Sequence, residues 1–282
     1  WLASLPKTVA GGNYDREEAS GKDDAEEGDA LHRCLRREVS TGSALLAKVR
    51  GDLTAVGKLC RGEAKATNEV RALVSALVKD AVPAHWKSGL VQAAMGAASW
   101  VDDLGKRIVH LENVSRPGAK SGPDASPYWL GGLFSPDAFV TASRQHVARA
   151  LSCSLEELKL SLVVGPAEET SAEGPSMAFP IIGLVLEGAG WSEATKTLAF
   201  SKDHRRALAL CQLCWTRRPE GANEAGDLDG PMSVPSGVAV PVYLHGLRSE
   251  LILTVELPAP MEILPLVWRQ RGVAILAWGP PV

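Results

Sequence analysis

The sequence predicts an α+β chain, an N-terminal helical half followed by a small antiparallel β-barrel. Three observations predict it. Apolar residues recur at three- and four-residue steps from Leu31 onward. From Ser154 the period changes to two, beginning with the alternating run "LKLSLVV". After that, short apolar runs follow one another across Gly-, Pro- and Glu-rich loops with no helix-length period between them, so the strands are expected to pair antiparallel. At 282 residues and 45% hydrophobic composition, there is enough apolar material to bury a sizeable core.

The first residues, "WLASLPKTV", carry an apolar pattern without an initiating Met, which reads as a fragment whose start lies elsewhere. "GGNYDREEASGKDDAEEGDA", residues 11–30, is nearly empty of large apolar groups and reads as a solvated acidic loop. Leu31, Leu35, Val39, Leu45, Leu46, Val49, Leu53, Val56 and Leu59 then mark a long amphipathic helix. "CRGEAKATN" interrupts it, and Val70, Leu73, Val74, Leu77 and Val78 repeat the period up to Pro83, giving a helical hairpin with a Gly-containing turn. Trp100, Val101, Leu104, Ile108 and Leu111 mark a third helix, which runs out in "SRPGAKSGPDASP". A fourth opens with Ser135 as N-cap, Pro136 at the first helical position and Asp137 in the first turn. Ser154 and Glu157 have capping-box spacing ahead of the first strand. "FPIIGLVLEGA", "TKTLAF", "ALCQLCWT", "VAVPVYLH", "ELILTVEL" and "RGVAILAW" supply the remaining strands.

Candidate chemistry is sparse. A net charge of −3 and the lack of a basic run argue against nucleic acid as a partner, and no apolar stretch is long enough for membrane insertion. Cys34, Cys60, Cys153, Cys211 and Cys214 are an odd, scattered set that fits reduced thiols. Cys211 and Cys214 form a CxxC inside a strand, where side chains three apart point to opposite faces; they read as core residues rather than a metal or redox pair. His32, His85, His110, His146, His204 and His245 lack metal-site spacing. The paired acids Asp102–Asp103 and Glu156–Glu157 fall at helix starts or on solvated faces. Gly131–Gly132, inside "PYWLGGLFSPDAFV", raises a phosphate loop, but no G-x-x-x-x-G-K-[ST] occurs; Gly118-Ala119-Lys120-Ser121 lacks the upstream glycine. No self-contained catalytic, cofactor-binding or metal site is expected.

Seven segments carry a resemblance: "VPAHW" (82–86), "SWVDDLGKRIVHLENVS" (99–115), "WLGGLFSPDAFVTASRQHVARA" (129–150), "SLEELKL" (154–160), "GLVLEGAGW" (183–191), "VPVYLHGLRSELILTVEL" (240–257) and "RGVAIL" (271–276). In order and spacing they resemble the C-terminal end of a dynein heavy chain, from about Leu35 to Leu276. The resemblance implies that residues 1–30 are the end of the lid of the sixth AAA+ module plus an acidic loop, 31–153 the helical part of the C-terminal domain and 154–282 its barrel. It also implies that Trp129, Gly131, Gly132, Ser135, Pro136, Trp191, Arg271 and Gly272 are structural. ATP and magnesium would be bound by upstream AAA+ modules of the same heavy chain. Intermediate, light intermediate and light chains and microtubules would be reached through other regions, in a cytoplasmic, cytoskeletal complex. "PVYLHGLRSELILTVEL" looks like the cytoplasmic class, lacking the Lys-Thr and Ser-Thr-Thr-Gly of the axonemal pattern. The alternatives are an axonemal heavy chain and a stand-alone β-barrel binding or scaffolding protein. Gly190, the Pro-rich "LPAPMEILP" and the loop "EGANEAGDLDGPMSVPSG" depart from the family pattern at surface turns.

Overall fold

A computed structural model describes residues 1–8, 29–87, 95–116, 126–166, 176–217 and 237–279. Most of the acidic loop, of the segment after the third helix and of the long inserted loop lies outside them. Contacts group the residues into two compact units: Trp1–Ala119 with Gly132–Ser135, and Lys120–Gly131 with Pro136–Val282.

The first unit is helical. Helix α1, Ala30–Cys60, is capped by Asp29, whose carboxylate accepts from the His32 amide, and it buries Leu31, Leu35, Val39, Leu45, Leu46 and Val49 on one stripe. A β-carbon at Gly42, on that stripe, would stand 3.0–3.2 Å from Leu111, Ile108 and Phe134, so glycine there sets how closely α1 meets α3, Ala97–Val114. The chain turns through Gly62, at φ 76°, into α2, Asn68–Val78, capped by Thr67. This helix stops well short of Pro83. Asp80, at φ 51°, turns the chain, and its carboxylate and carbonyl accept from the Ala98 and Ala97 amides that open α3. In the "VPAHW" segment, buried Trp86 stacks on Trp100 at 5.5 Å and donates its indole N–H to Asp52 at 2.7 Å.

The second unit holds the strands. One sheet runs in the order β1 (Tyr128–Trp129), β3 (Ser176–Ile182), β8 (Cys211–Arg217), β2 (Leu158–Val164). A second runs β10 (Leu251–Pro258), β9 (Gly237–Tyr243), β11 (Ala274–Leu276), β4 (Leu184–Glu187), β7 (Arg205–Leu208). Strands β5 (Gly190–Ser192) and β6 (Thr197–Ala199) make a separate hairpin. Helix α4, Pro136–Ala150, belongs with these strands by its packing: Phe139 meets Tyr128 and Phe179, and Ser143 Oγ accepts from the Trp215 indole at 2.9 Å. The Ser154–Glu157 capping box forms as expected and leads directly into β2.

The expected closed antiparallel barrel is corrected in two respects. Among the described residues β2 and β10 meet through the Lys159–Glu256 ion pair but share no ladder, so the two larger sheets are not joined there into a closed barrel. Pairing is also mixed: β1 runs parallel to β3 and β11 parallel to β9. Parallel neighbours need a crossover, and the chain provides them, α4 with β2 in the first case and β10 with the short helix α5, Pro265–Gln270, in the second. With six residues, α5 is too short to show a helical period in sequence. Strands β1, β5 and β7 were likewise not expected, being two to four residues long.

Candidate functional site

Among the described residues no group of His, Cys, Asp and Glu side chains could hold a metal ion. Cys211 and Cys214 are both buried in β8, a strand flanked on both sides. Burial pushes the Cys211 thiol up to about 12, with the Glu193 carboxylate adding to the shift, which removes it as a nucleophile. The paired acids are accounted for by neighbours. Asp102 pairs with Lys106 and Asp103 with Arg107, each one helical turn along α3; Glu157 pairs with Arg217 and closes its capping box. Gly118–Ser121 lies outside the described residues.

Parts of four of the segments singled out by resemblance, at 129–131, 183–188, 248 and 271–272, meet at two joints, both within the strand-bearing unit. At the first, Trp129 and the backbone of Gly131 meet residues 277–279. The Trp129 indole donates to the Gly279 carbonyl at 2.7 Å, and Trp129 is buried. A β-carbon at Gly131 would lie 1.7 Å from the Ala277 carbonyl oxygen, so no side chain fits. Gly183, at φ 76°, breaks "FPIIGLVLEGA" into β3 and β4 in the space beside Trp129 and Gly279. At both glycines the space of a side chain is taken by backbone or by the Trp129 ring.

At the second joint Glu187, the last residue of β4, accepts from Arg205 at 2.9 Å and from Arg248 at 2.6 Å. Arg248 also donates to the Gly272 carbonyl, and Arg271 donates to the carbonyls of Gly188 and Ser201 while lying over the Phe200 ring. The Arg248 hydrogen bond, reinforced by Arg205, holds the Glu187 carboxyl below the usual carboxylate range. Gly188, Arg248 and Gly272 all adopt positive φ, so the turns that meet here are each tightly bent. The arrangement clamps β4, β7, the β9–β10 turn and the α5–β11 turn to one another.

Trp191 is buried in β5 opposite Leu198, away from either joint's polar contacts. Helix α4 begins at Pro136, directly after Ser135, with Asp137 in its first turn. The amides of Phe134 and Ser135 donate to Glu38, which is 2% exposed. Sequence reasoning passed over Glu38, Glu187 and Arg248. Glu38 did leave a signal: it occupies the apolar stripe of α1 between Leu35 and Gly42, a place where a carboxylate needs donors. Glu187 and Arg248 lie inside two of the segments that resemble the family, but nothing in the sequence pairs them, because their partners come from distant turns.

The family model for the C-terminal domain of dynein heavy chains matches residues 1–277. Relatives include "Dynein heavy chain, cytoplasmic" of Dictyostelium discoideum, 34% identical over 89% of this chain and 5% of that protein. The protein of the same name from Caenorhabditis elegans is 33% identical over 98% of this chain and 5% of its own length. "Dynein axonemal heavy chain 1" of Rattus norvegicus is 30% identical over 98% of this chain and 6% of that protein. The residues in hand thus span about one-twentieth of the length of the first of these relatives. With the family match running from residue 1 through β11 and relatives about one-third identical over most of these residues, the protein belongs to the C-terminal domain family of dynein heavy chains.

Proposed function

We propose that the protein is the non-catalytic C-terminal cap of a cytoplasmic dynein heavy chain, acting on the AAA+ ring of a minus-end-directed microtubule motor. The observation that carries this reading is where the family-like residues go. Trp129, Gly131, Arg271 and Gly272 hold turns and strands together, as a mechanical module requires, and do not line a reactive cleft. ATP and magnesium are bound by upstream modules of the longer protein in this reading. The intermediate, light intermediate and light chains and the microtubule are engaged by other regions, and the complex works in the cytoplasm on the cytoskeleton. A rigid cap biases the positions of the modules it touches through contacts that differ between nucleotide states.

The test is a full-length motor lacking Ser154–Val282. The proposal expects ATP binding upstream to persist while run length, force or the coupling of ATPase to movement shifts. Unchanged velocity, force and run length at matched folded fraction would leave the cap a stabilising lid only. The axonemal reading is kept alive by the similarity to the rat axonemal protein, only slightly below that to the cytoplasmic ones. Expression in cells that never build cilia separates the two: presence there supports the cytoplasmic class, and restriction to ciliated cells the axonemal one.

A further inference from the structure

We propose that the concavity where the C-terminal half of α1 meets the α1–α2 turn is a docking groove for an acidic, amphipathic peptide segment of a partner protein. Its volume is about 440 Å³, within the range of specific ligand clefts. The groove exists because the residues that face it are small. Gly51 and Ala55 on α1 and Ala64 on the turn leave a shallow floor that larger side chains would fill. Thr54 turns its hydroxyl back to the Arg50 carbonyl at 2.7 Å, and the Thr67 hydroxyl accepts the Val70 amide as the cap of α2. The hydroxyls are therefore committed to their own helices, and the floor is chiefly apolar.

Three cations line this floor, Arg50, Lys58 and Lys65, and among the described residues none forms an ion pair. The contrast with the rest of the surface is informative. Arg61, in the same turn, holds Glu63 through two hydrogen bonds of 2.6 and 3.1 Å, so the acid closest in sequence to Lys65 is already taken. Arg50 donates to the carbonyls of Leu2, Leu5 and Pro6, which orient its guanidinium without cancelling its charge. Positive charge that no ion pair among the described residues closes, around an apolar floor, complements a segment that places apolar side chains inward and carboxylates at the rim. A bare anion would leave the floor uncovered, and a neutral apolar segment would leave the cations unmatched.

The probe is a fluorescein-labelled peptide of alternating Leu and Glu, followed by anisotropy on the 282-residue protein at low and high salt. Binding should weaken as salt rises, and a Leu–Gln peptide of the same length should bind about tenfold more weakly or worse. The double variant Lys58→Glu with Lys65→Glu, at two exposed positions, should lose about tenfold or more in affinity at a temperature where unfolding curves show it and the wild type fully folded. Gly51→Leu fills the groove from a position with nothing within 4 Å of a β-carbon, and should abolish binding without destabilising α1. The proposal is overturned by undetectable binding, by equal affinity for the Leu–Gln peptide, or by charge reversal that leaves affinity unchanged. It is equally overturned if a single-stranded oligonucleotide or a phosphatidylserine vesicle engages the same lysines more tightly than the peptide.

Discussion

Gly131 and Gly51 show how differently one residue type behaves within a single protein. At Gly131 the obstacle to a side chain is the Ala277 backbone, which cannot swing aside, whereas at Gly51 a β-carbon meets open space. Gly131→Ala should therefore lower stability by about 2–4 kcal/mol. Gly51→Ala should raise it by about 0.5–1 kcal/mol, because alanine loses less backbone freedom in a helix. Urea unfolding midpoints of the two variants check both signs. Thiol chemistry divides in the same residue-by-residue way. Cys60 is exposed and Cys211 is buried with its thiol at about 12, so at mildly alkaline pH a maleimide should label Cys60 and spare Cys211 until the protein unfolds. Labelling of Cys211 in the folded state would contradict the burial argument. His110 in α3 is pushed down to about 4 by burial, with the Arg107 charge adding to the shift. The sign follows from its depressed folded value: the neutral ring is the folded form, so stability is full above about 6.5 and falls as the pH drops toward 4. His110→Leu should flatten the stability profile across that window, removing a slope worth on the order of 3 kcal/mol in a series of unfolding curves.

Strands β2, β3, β8, β9 and β10 are held along six or seven paired residues each, whereas the shorter strands depend on contacts at their ends. Strands β4, β7 and β11 are only three or four residues long and carry few ladder hydrogen bonds each. The Glu187 clamp supplies what those short ladders lack. Because the Arg248 and Arg205 hydrogen bonds depress the Glu187 carboxyl, its contribution is present above the ordinary glutamate range and is lost as the pH falls through the lowered value. This window lies on the acid side of the one assigned to His110. Glu187→Gln should lower the melting temperature at neutral pH and remove part of the acid dependence below about pH 4.5. A variant with the wild-type acid profile would show that the clamp does not contribute through charge.

For the whole molecule, the proposed reading assigns ATP to other modules, and no G-x-x-x-x-G-K-[ST] loop occurs in the 282 residues. The 282-residue protein on its own should neither bind nor hydrolyse ATP, and magnesium-dependent turnover by the purified material would refute the proposed cap. Among the described residues no helix is long and apolar enough to cross a membrane. The grouping of α4 with the strands, through Phe139 and Ser143, bears on where the sequence can be divided. A cut placed just before β2 would leave α4 its Tyr128 contact but strip it of the Phe179 contact and the Trp215 hydrogen bond. Motor truncations intended to remove the strands cleanly should therefore be matched by one that begins before α4.

The sequence by itself determined the local order of the elements. The stripe from Leu31 to Val49, the capping box at Ser154 and the alternation of "LKLSLVV" are set by side-chain period and capping chemistry, which act over a few residues. It also determined the core character of Cys211 and Cys214, since strand geometry alone puts them on opposite faces. Tertiary structure decided what depends on partners far away along the backbone. The parallel pairing of β1 with β3 and of β9 with β11 rests on crossovers, and although "RGVAILAW" reads as a strand, nothing in its pattern says that β11 lies between β9 and β4. Of the family-like glycines, Gly131 could be read as special, but the reason for it, the Ala277 carbonyl far downstream, could not. Glu187, Arg205, Arg248 and Gly272 become one clamp only when their separate turns fold together. Short-range periodicity carries no information about which distant carbonyl or guanidinium will arrive, and that is where the joints of this molecule are made.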